Sequence, residues 1–207
     1  CVEEKKSTLS DGLAGLAVVK TLEAAIKSIS LRGRPVDIET LKAFNIQNNS
    51  LNIKSKLSNS SILVTGGAGL IGSHTIDQLL VHSPNRIIVI DDFSRGKFKN
   101  LESALKSNKL EIIDGDITDK ELIFNVTKNI DFLFHFAAIR ITRCAEEPRL
   151  AHEVLATGTV NLLEAAVKNK IKKIISASSA SIYGLADKFP TKEIQHPYNN
   201  RTLYGAI

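Results

Sequence analysis

The chain has 207 residues, with 27 Lys and Arg against 22 Asp and Glu, a formal charge of +5, and 43% hydrophobic residues. That is ordinary globular composition, long enough to bury a core without disulfides. Its two cysteines, Cys1 and Cys144, lack metal-ligand spacing, which excludes a disulfide framework and speaks against a metal site. The basic residues are scattered, no apolar run nears the ~20 residues of a membrane span, and no signal-like core follows the N-terminus. Nucleic-acid and membrane partners are therefore not expected, and a cytoplasmic setting is.

The first periodic segment runs from Val18, where Val18, Val19, Leu22, Ala25, Ile26 and Ile29 share one helical face opposite Lys20, Glu23 and Lys27. Ser10 and Asp11 supply capping chemistry before it, and Gly33 and Pro35 stop it. Residues 1–40 read as an isolated amphipathic helix with a tail. The stretch from Asp11 to Val36 resembles the extreme C-terminus of Gfo/Idh/MocA oxidoreductases, so a remnant of a fused enzyme is one expectation and a plain helical extension the other. Residues 41–60 are rich in Asn and Ser and read as a polar linker.

From residue 61 the pattern changes. Ile62-Leu-Val-Thr65 is a short buried strand, followed at once by Gly66-Gly-Ala-Gly69-Leu-Ile-Gly72 and by Ile71, Ile76, Leu79 and Leu80 at helical spacing. Glycines at a strand-to-helix turn suit a dinucleotide: Gly66 for the tight turn, Gly69 for approach of the pyrophosphate, Gly72 for close helix packing. The helix N-terminus then holds the phosphates. A second strand, Arg86–Asp91, ends in an acid 19 residues after Gly72, near the spacing of about 20 for the carboxylate on the adenosine ribose. Asp91 argues for NAD over NADP, although Arg95 and Lys97 stand nearby. Strands over 110–114, 130–135 and 171–176 alternate with helical patterns, which predicts an α/β fold: a Rossmann-type doubly wound parallel sheet over residues 61–207. Asp116, Ile117, Phe136, Ala137 and Ala138 lie at or just after strand ends, where such sheets bind ligands. His135 reads as a satisfied core histidine, because nothing nearby completes a triad or a metal set.

These residues resemble the extended short-chain dehydrogenase/reductases, in particular their NAD-dependent nucleotide-sugar epimerase/dehydratase branch. The resemblance rests on Thr65-Gly66-Gly-Ala-Gly69-Leu-Ile-Gly72-Ser-His74, Asp91-Asp-Phe-Ser94-Arg-Gly96, Gly115-Asp116-Ile117, His135-Phe-Ala-Ala138, Ser176-Ala-Ser-Ser179-Ala-Ser-Ile-Tyr183-Gly184 and Tyr204. It implies NAD as cofactor, with Leu70 and Ile71 facing the pyrophosphate and Asp91, Asp92, Phe93, Ser94, Arg95 and Gly96 surrounding the adenosine ribose. It further implies Asp116 and Ile117 at adenine, and Phe136, Ala137, Ala138 and Arg140 beside the nicotinamide half.

The family's chemistry uses a Tyr-x-x-x-Lys pair with a Ser or Thr. Ser179 and Tyr204 match, Tyr204 lying 21 residues beyond Tyr183, whereas the competing Tyr198 has Thr202 at the lysine position. A phenol of ordinary pKa near 10 needs a neighbouring cation to act as a base near neutrality. Tyr204-Gly-Ala-Ile207 stops one residue short of that lysine, so an inactive fragment of a longer enzyme is expected. Related dehydratases resemble a Thr-Asp-Glu pattern before Tyr-Gly, and Ser179-Ala180-Ser181 carries no acid, which favours UDP-glucose 4-epimerase-like epimerisation through a 4-keto sugar. A sibling decarboxylation or dehydration, or a noncatalytic NAD-binding module, is the alternative. An Asn that many relatives carry before Gly-Thr is missing from residues 154–159. The expected partner is a nucleotide sugar, and the expected state of the full-length protein is a homodimer.

Overall fold

The structure, a computed structural model, describes residues 56–186, 188–194 and 200–207. The helix expected from Val18, the oxidoreductase-like tail, the polar stretch up to residue 55 and Tyr198 lie outside them. Residues 56–60, the end of that stretch, close a turn: Asn59 donates its N–H to Ser83 O at 3.0 Å, and the Ser60 hydroxyl donates to Leu57 O at 2.6 Å.

Five strands follow: β1 Ser61–Thr65, β2 Arg86–Asp91, β3 Leu110–Asp114, β4 Phe132–His135 and β5 Lys173–Ser176. They form one parallel sheet in the order β3-β2-β1-β4-β5. The chain winds outward from β1 to β3, then crosses back to β4. The reversal therefore falls between β1 and β4, whose last residues, Thr65 and His135, are in register. Ligands of such sheets bind there.

The sheet is covered on both faces because its central strands are apolar on both. Ile62 and Val64 of β1 and Ile87 and Val89 of β2 pack with Ile76 and Leu79 of helix α1, Leu70–Val81. Leu63, Ile88, Ile90 and Leu133 face the other way, onto Ile123 of α2, Lys120–Val126, and onto Leu162 and Ala165 of α5, Thr159–Lys168. Each fully buried Leu or Ile contributes roughly 2 kcal/mol of transfer free energy. Between β4 and α5 lie α3, Ile141–Glu146, α4, Pro148–Ala151, and a π-helical stretch, His152–Gly158. The short α6, Leu203–Ala206, is the last element.

Strands β4 and β5 begin two residues later than the apolar pattern predicts. Ile130 and Ile171 instead donate their N–H groups back to Thr127 O and Ala166 O, closing the ends of α2 and α5. Each follows a residue at positive φ, Asn129 at 59° and Lys170 at 55°, the left-handed step that commonly ends a helix. Asp131 then ties three strand starts together: it accepts Ser61 N–H at 2.8 Å and Lys172 Nζ at 2.7 Å. The Lys172 hydrogen bond, and then that of Ser61, hold its carboxyl below the usual carboxylate range.

Candidate functional site

The glycine turn sits where β1 ends against β4. Gly66 has φ +68°, and a β-carbon on it would stand 2.6 Å from Ala137 N; both its conformation and its closeness to the neighbouring strand end require glycine. A β-carbon on Gly72 would run into Gly66 O and lie 2.6 Å from Gly67 Cα, so the first turn of α1 presses directly on the loop. Gly69 caps α1 in extended conformation. Leu70 and Ile71 are 73% and 57% exposed, and their N–H groups lie in the first turn, which a helix leaves without intrahelical acceptors.

Asp91, at the end of β2, is only 7% exposed. Its Oδ2 accepts Ala68 N–H at 2.8 Å and its Oδ1 accepts Phe93 N–H at 3.0 Å. Burial pushes its carboxyl above the ordinary value in spite of these donors, and Asp92 adds to the rise. The acid read as a ribose acceptor is thus also the strut of the glycine turn. Gly96 folds over it, a β-carbon there meeting Asp91 Oδ1 at 2.5 Å. Asp92 accepts both the N–H and the hydroxyl of Ser94, Arg95 is exposed, and Phe93 stacks on Phe98 with centroids 4.3 Å apart.

After β3, Asp116 accepts Thr118 N–H at 2.8 Å. The Ile117 side chain, expected at adenine, is 3% exposed and packs in the core, where a β-carbon on Gly158 would meet it at 2.6 Å. Asn161 of α5 holds this loop, donating to Ile117 O and Thr118 O at 3.2 and 3.1 Å. Sequence reasoning missed it, because an Asn among the apolar positions of a helical segment does not reveal its partner.

Beyond β4 and β5 opens a cleft of about 620 Å³ lined by Phe136, Ala137, Ala138, Ser179 and Tyr204, together with Leu155 and Asn200. Ser179 precedes a 3₁₀ turn, Ala180–Tyr183, and its hydroxyl accepts Ser181 N–H at 3.1 Å. Tyr204 is half-buried on α6 and packs on the core. Asn200 braces the two elements by donating to Ser181 O and Gly205 O. Arg140, exposed just before α3, is not among the residues lining the cleft. In the stretch where the expected Asn is missing, Leu155 enters the cleft wall and its carbonyl accepts the Thr159 hydroxyl at 2.7 Å. His135 is held by Thr65 and Thr159, and burial lowers its pKa to about 4. Among the described residues, no three His, Cys, Asp or Glu gather where a metal could bind, and no helix is long and apolar enough to cross a membrane.

A parallel sheet with a glycine turn opening onto a helix N-terminus at the strand-order reversal defines a Rossmann-type α/β fold. The profile of the NAD dependent epimerase/dehydratase family matches residues 62–207, and the chain belongs to that family. It is 37% identical over 147 residues to a UDP-glucose 4-epimerase of Mycolicibacterium smegmatis, covering 70% of this chain and 46% of that protein. Among solved structures it is similar to UDP-glucose 4-epimerase from Bifidobacterium longum in complex with NAD+ and UDP, with a TM-score of 0.65 and 30% identity over 71% of this chain and 45% of that one. A dTDP-glucose 4,6-dehydratase from Streptomyces venezuelae with NAD bound matches at TM-score 0.66 and 31% identity, over 70% of this chain and 47% of that one. The chain spans about half the length of each.

Proposed function

We propose that the protein to which this chain belongs is an NAD-dependent nucleotide-sugar 4-epimerase acting on a UDP-hexose. The observation that carries this reading is one cleft in which Ser179 and Tyr204 share walls with Phe136–Ala138, the segment after β4. The residues around the turn fit NAD, because the glycine cradle would be filled by a β-carbon at Gly66 or Gly72 and opens onto the first turn of α1. Bound there, NAD would supply a hydride acceptor for the sugar C4 and a donor for its return.

The chain's own residues then have separable tasks. The N–H groups of Leu70 and Ile71 hold the pyrophosphate at the positive end of α1. Asp91 accepts from the ribose hydroxyls while it braces the turn, with residues 92–96 around it. Asp116 and the backbone of Ile117 border adenine, and Phe136–Ala138 border the nicotinamide, with Arg140 beyond them. Ionised to its phenolate, Tyr204 takes the proton of the sugar 4-hydroxyl. The Ser179 hydroxyl hydrogen-bonds the same oxygen as negative charge grows on it. Turning the ketone in the cleft would present its other face to the returning hydride, and Tyr204 would give the proton back to the 4-oxygen, which would invert the centre.

One feature supports epimerisation over dehydration. Ala180 and Ser181 put no acid in the 3₁₀ turn beside Ser179, whereas overall likeness to the 4,6-dehydratase and to the epimerase is equal and favours neither. A phenol needs a cation one helical turn away to ionise near neutrality, and that position lies past Ile207. Incubating the protein extended along its reading frame with UDP-glucose, and resolving products by NMR, tests the assignment. UDP-galactose is expected, and a 4-keto-6-deoxy product would overturn it.

A further inference from the structure

His135 sits in a hydrogen-bond chain whose direction is set by proton counting. The Thr159 hydroxyl has one proton and gives it to Leu155 O at 2.7 Å. At 3.1 Å from His135 Nε2 it therefore accepts, so Nε2 carries a proton. On the other side His135 Nδ1 lies 2.8 Å from Thr65 Oγ1, and Thr65 Oγ1 receives Ala137 N–H at 3.4 Å. In a neutral ring Nδ1 then accepts the Thr65 proton, and the sequence runs unbroken from Ala137 N–H through Thr65, His135 and Thr159 to Leu155 O. Burial favours this neutral ring over the imidazolium.

We infer that His135 is a positioning residue whose neutral Nε2–H tautomer clamps the end of β1, the segment after β4 and the π-helical stretch into one wall of the cleft. The members of the chain are spread across β1, β4 with the segment after it, the π-helical stretch and α5, and three of its participants, Ala137, Leu155 and His135 itself, line that cleft. The clamp acts where the backbone is tightest, since Ala137 N, which feeds it, is the atom a β-carbon on Gly66 would strike. An apolar residue of similar volume would fill the core equally well but would leave the Thr65 and Thr159 hydroxyls without this partner, and would break the hydrogen-bond chain that ties Ala137 to Leu155. The inference rests on reading this wall as the nicotinamide side of the NAD site.

Because the clamp lies at one end of the site, its loss should be felt by NAD and not by a ligand that occupies only the adenosine and pyrophosphate end. The experiment takes the 207-residue chain, records histidine ring 15N shifts of the wild type, and titrates NAD and ADP into wild type, Thr159→Val and Thr159→Ser. An Nε2–H ring from about pH 5.5 to 8 is expected. Thr159→Val should weaken NAD about tenfold while leaving ADP within about twofold, and Thr159→Ser, which keeps the hydroxyl, should restore NAD. An Nδ1–H or charged ring overturns the clamp. Equal loss of NAD and ADP, or no loss of either, with wild type binding both, overturns the positioning role alone. A wild type that binds neither contradicts the cofactor reading and takes the positioning role with it.

Discussion

Asp91 Oδ2 accepts the N–H of Ala68 at 2.8 Å, so the acid that ends β2 holds the glycine turn that ends β1. Ala68 O in turn receives Lys97 N–H at 3.1 Å and Asn100 Nδ2 at 2.7 Å, which straps the loop after β2 to the same point. Replacing Asp91 by Ala removes the carboxylate proposed to accept from the ribose and to repel a 2′-phosphate, and leaves a buried N–H unpaired. The expected result is a lower preference for NAD over NADP together with a loss of roughly 1–3 kcal/mol of stability. Titration with both cofactors and urea unfolding read the two effects separately, and unchanged preference would remove Asp91 from the ribose site.

Gly72 and Gly69 should respond differently to a single methyl. At Gly72 the new carbon collides with the backbone of Gly66 and Gly67, whereas at Gly69 it lies 3.2 Å from Gly66 O. Gly72→Ala is expected to displace α1 from the turn, costing about 1–3 kcal/mol and abolishing measurable NAD binding. Gly69→Ala should be milder in stability, its cost falling mainly on the pyrophosphate. Paired unfolding and binding curves make the comparison.

The sheet was legible because β1 and β2 are continuous apolar runs followed by a glycine turn and an acid, a combination that few other architectures produce. Ile130 and Ile171 were misread as strand starts because an apolar residue closing a helix end looks, in sequence, like the first residue of the strand it precedes. Ser179 and Tyr204 were found only through family spacing; no local pattern announces that a serine after β5 and a tyrosine on a four-residue helix share one cleft. The pairs Thr65–His135 and Asn161–Ile117 lie 70 and 44 residues apart, and their contacts depend on strand order and on the rotation of α5. Neither is readable before the topology is known. Asp91 was placed correctly at its strand end, but its burial was hidden because the donor that captures it, Ala68 N–H, belongs to the backbone.

Stability should depend on pH through His135. Its pKa is about 4 when folded against 6.5 for an ordinary histidine, so between these values the unfolded chain takes up a proton that the folded chain refuses. Stability is full above about pH 6.5 and falls by up to ~3 kcal/mol as pH drops to about 4. Asp131, held below the usual carboxylate range by Lys172 and Ser61, adds a further loss at lower pH, once the unfolded carboxyl begins to protonate. Urea midpoints measured through this range should lose the upper part of the slope in His135→Gln and keep the lower part.

In the extended protein, Ser179→Ala should reduce the rate of hydride transfer by ~10²-fold while changing sugar-nucleotide affinity by less than about threefold. The hydrogen bond it removes gains strength as charge builds on the 4-oxygen, not when the ground state binds. Rapid mixing followed by absorbance, set against equilibrium titration, separates the two. An equal loss in both would make Ser179 a binding residue only.

The central claim, that Tyr204 is the base of an internal redox cycle in this cleft, is tested most directly by mixing the extended, NAD-loaded protein with UDP-glucose in a single turnover and following reduced nicotinamide. The account predicts a transient rise in wild type and its absence in Tyr204→Phe, with NAD still bound in both. Reduction of equal size and rate in Tyr204→Phe, or none in wild type, would contradict it.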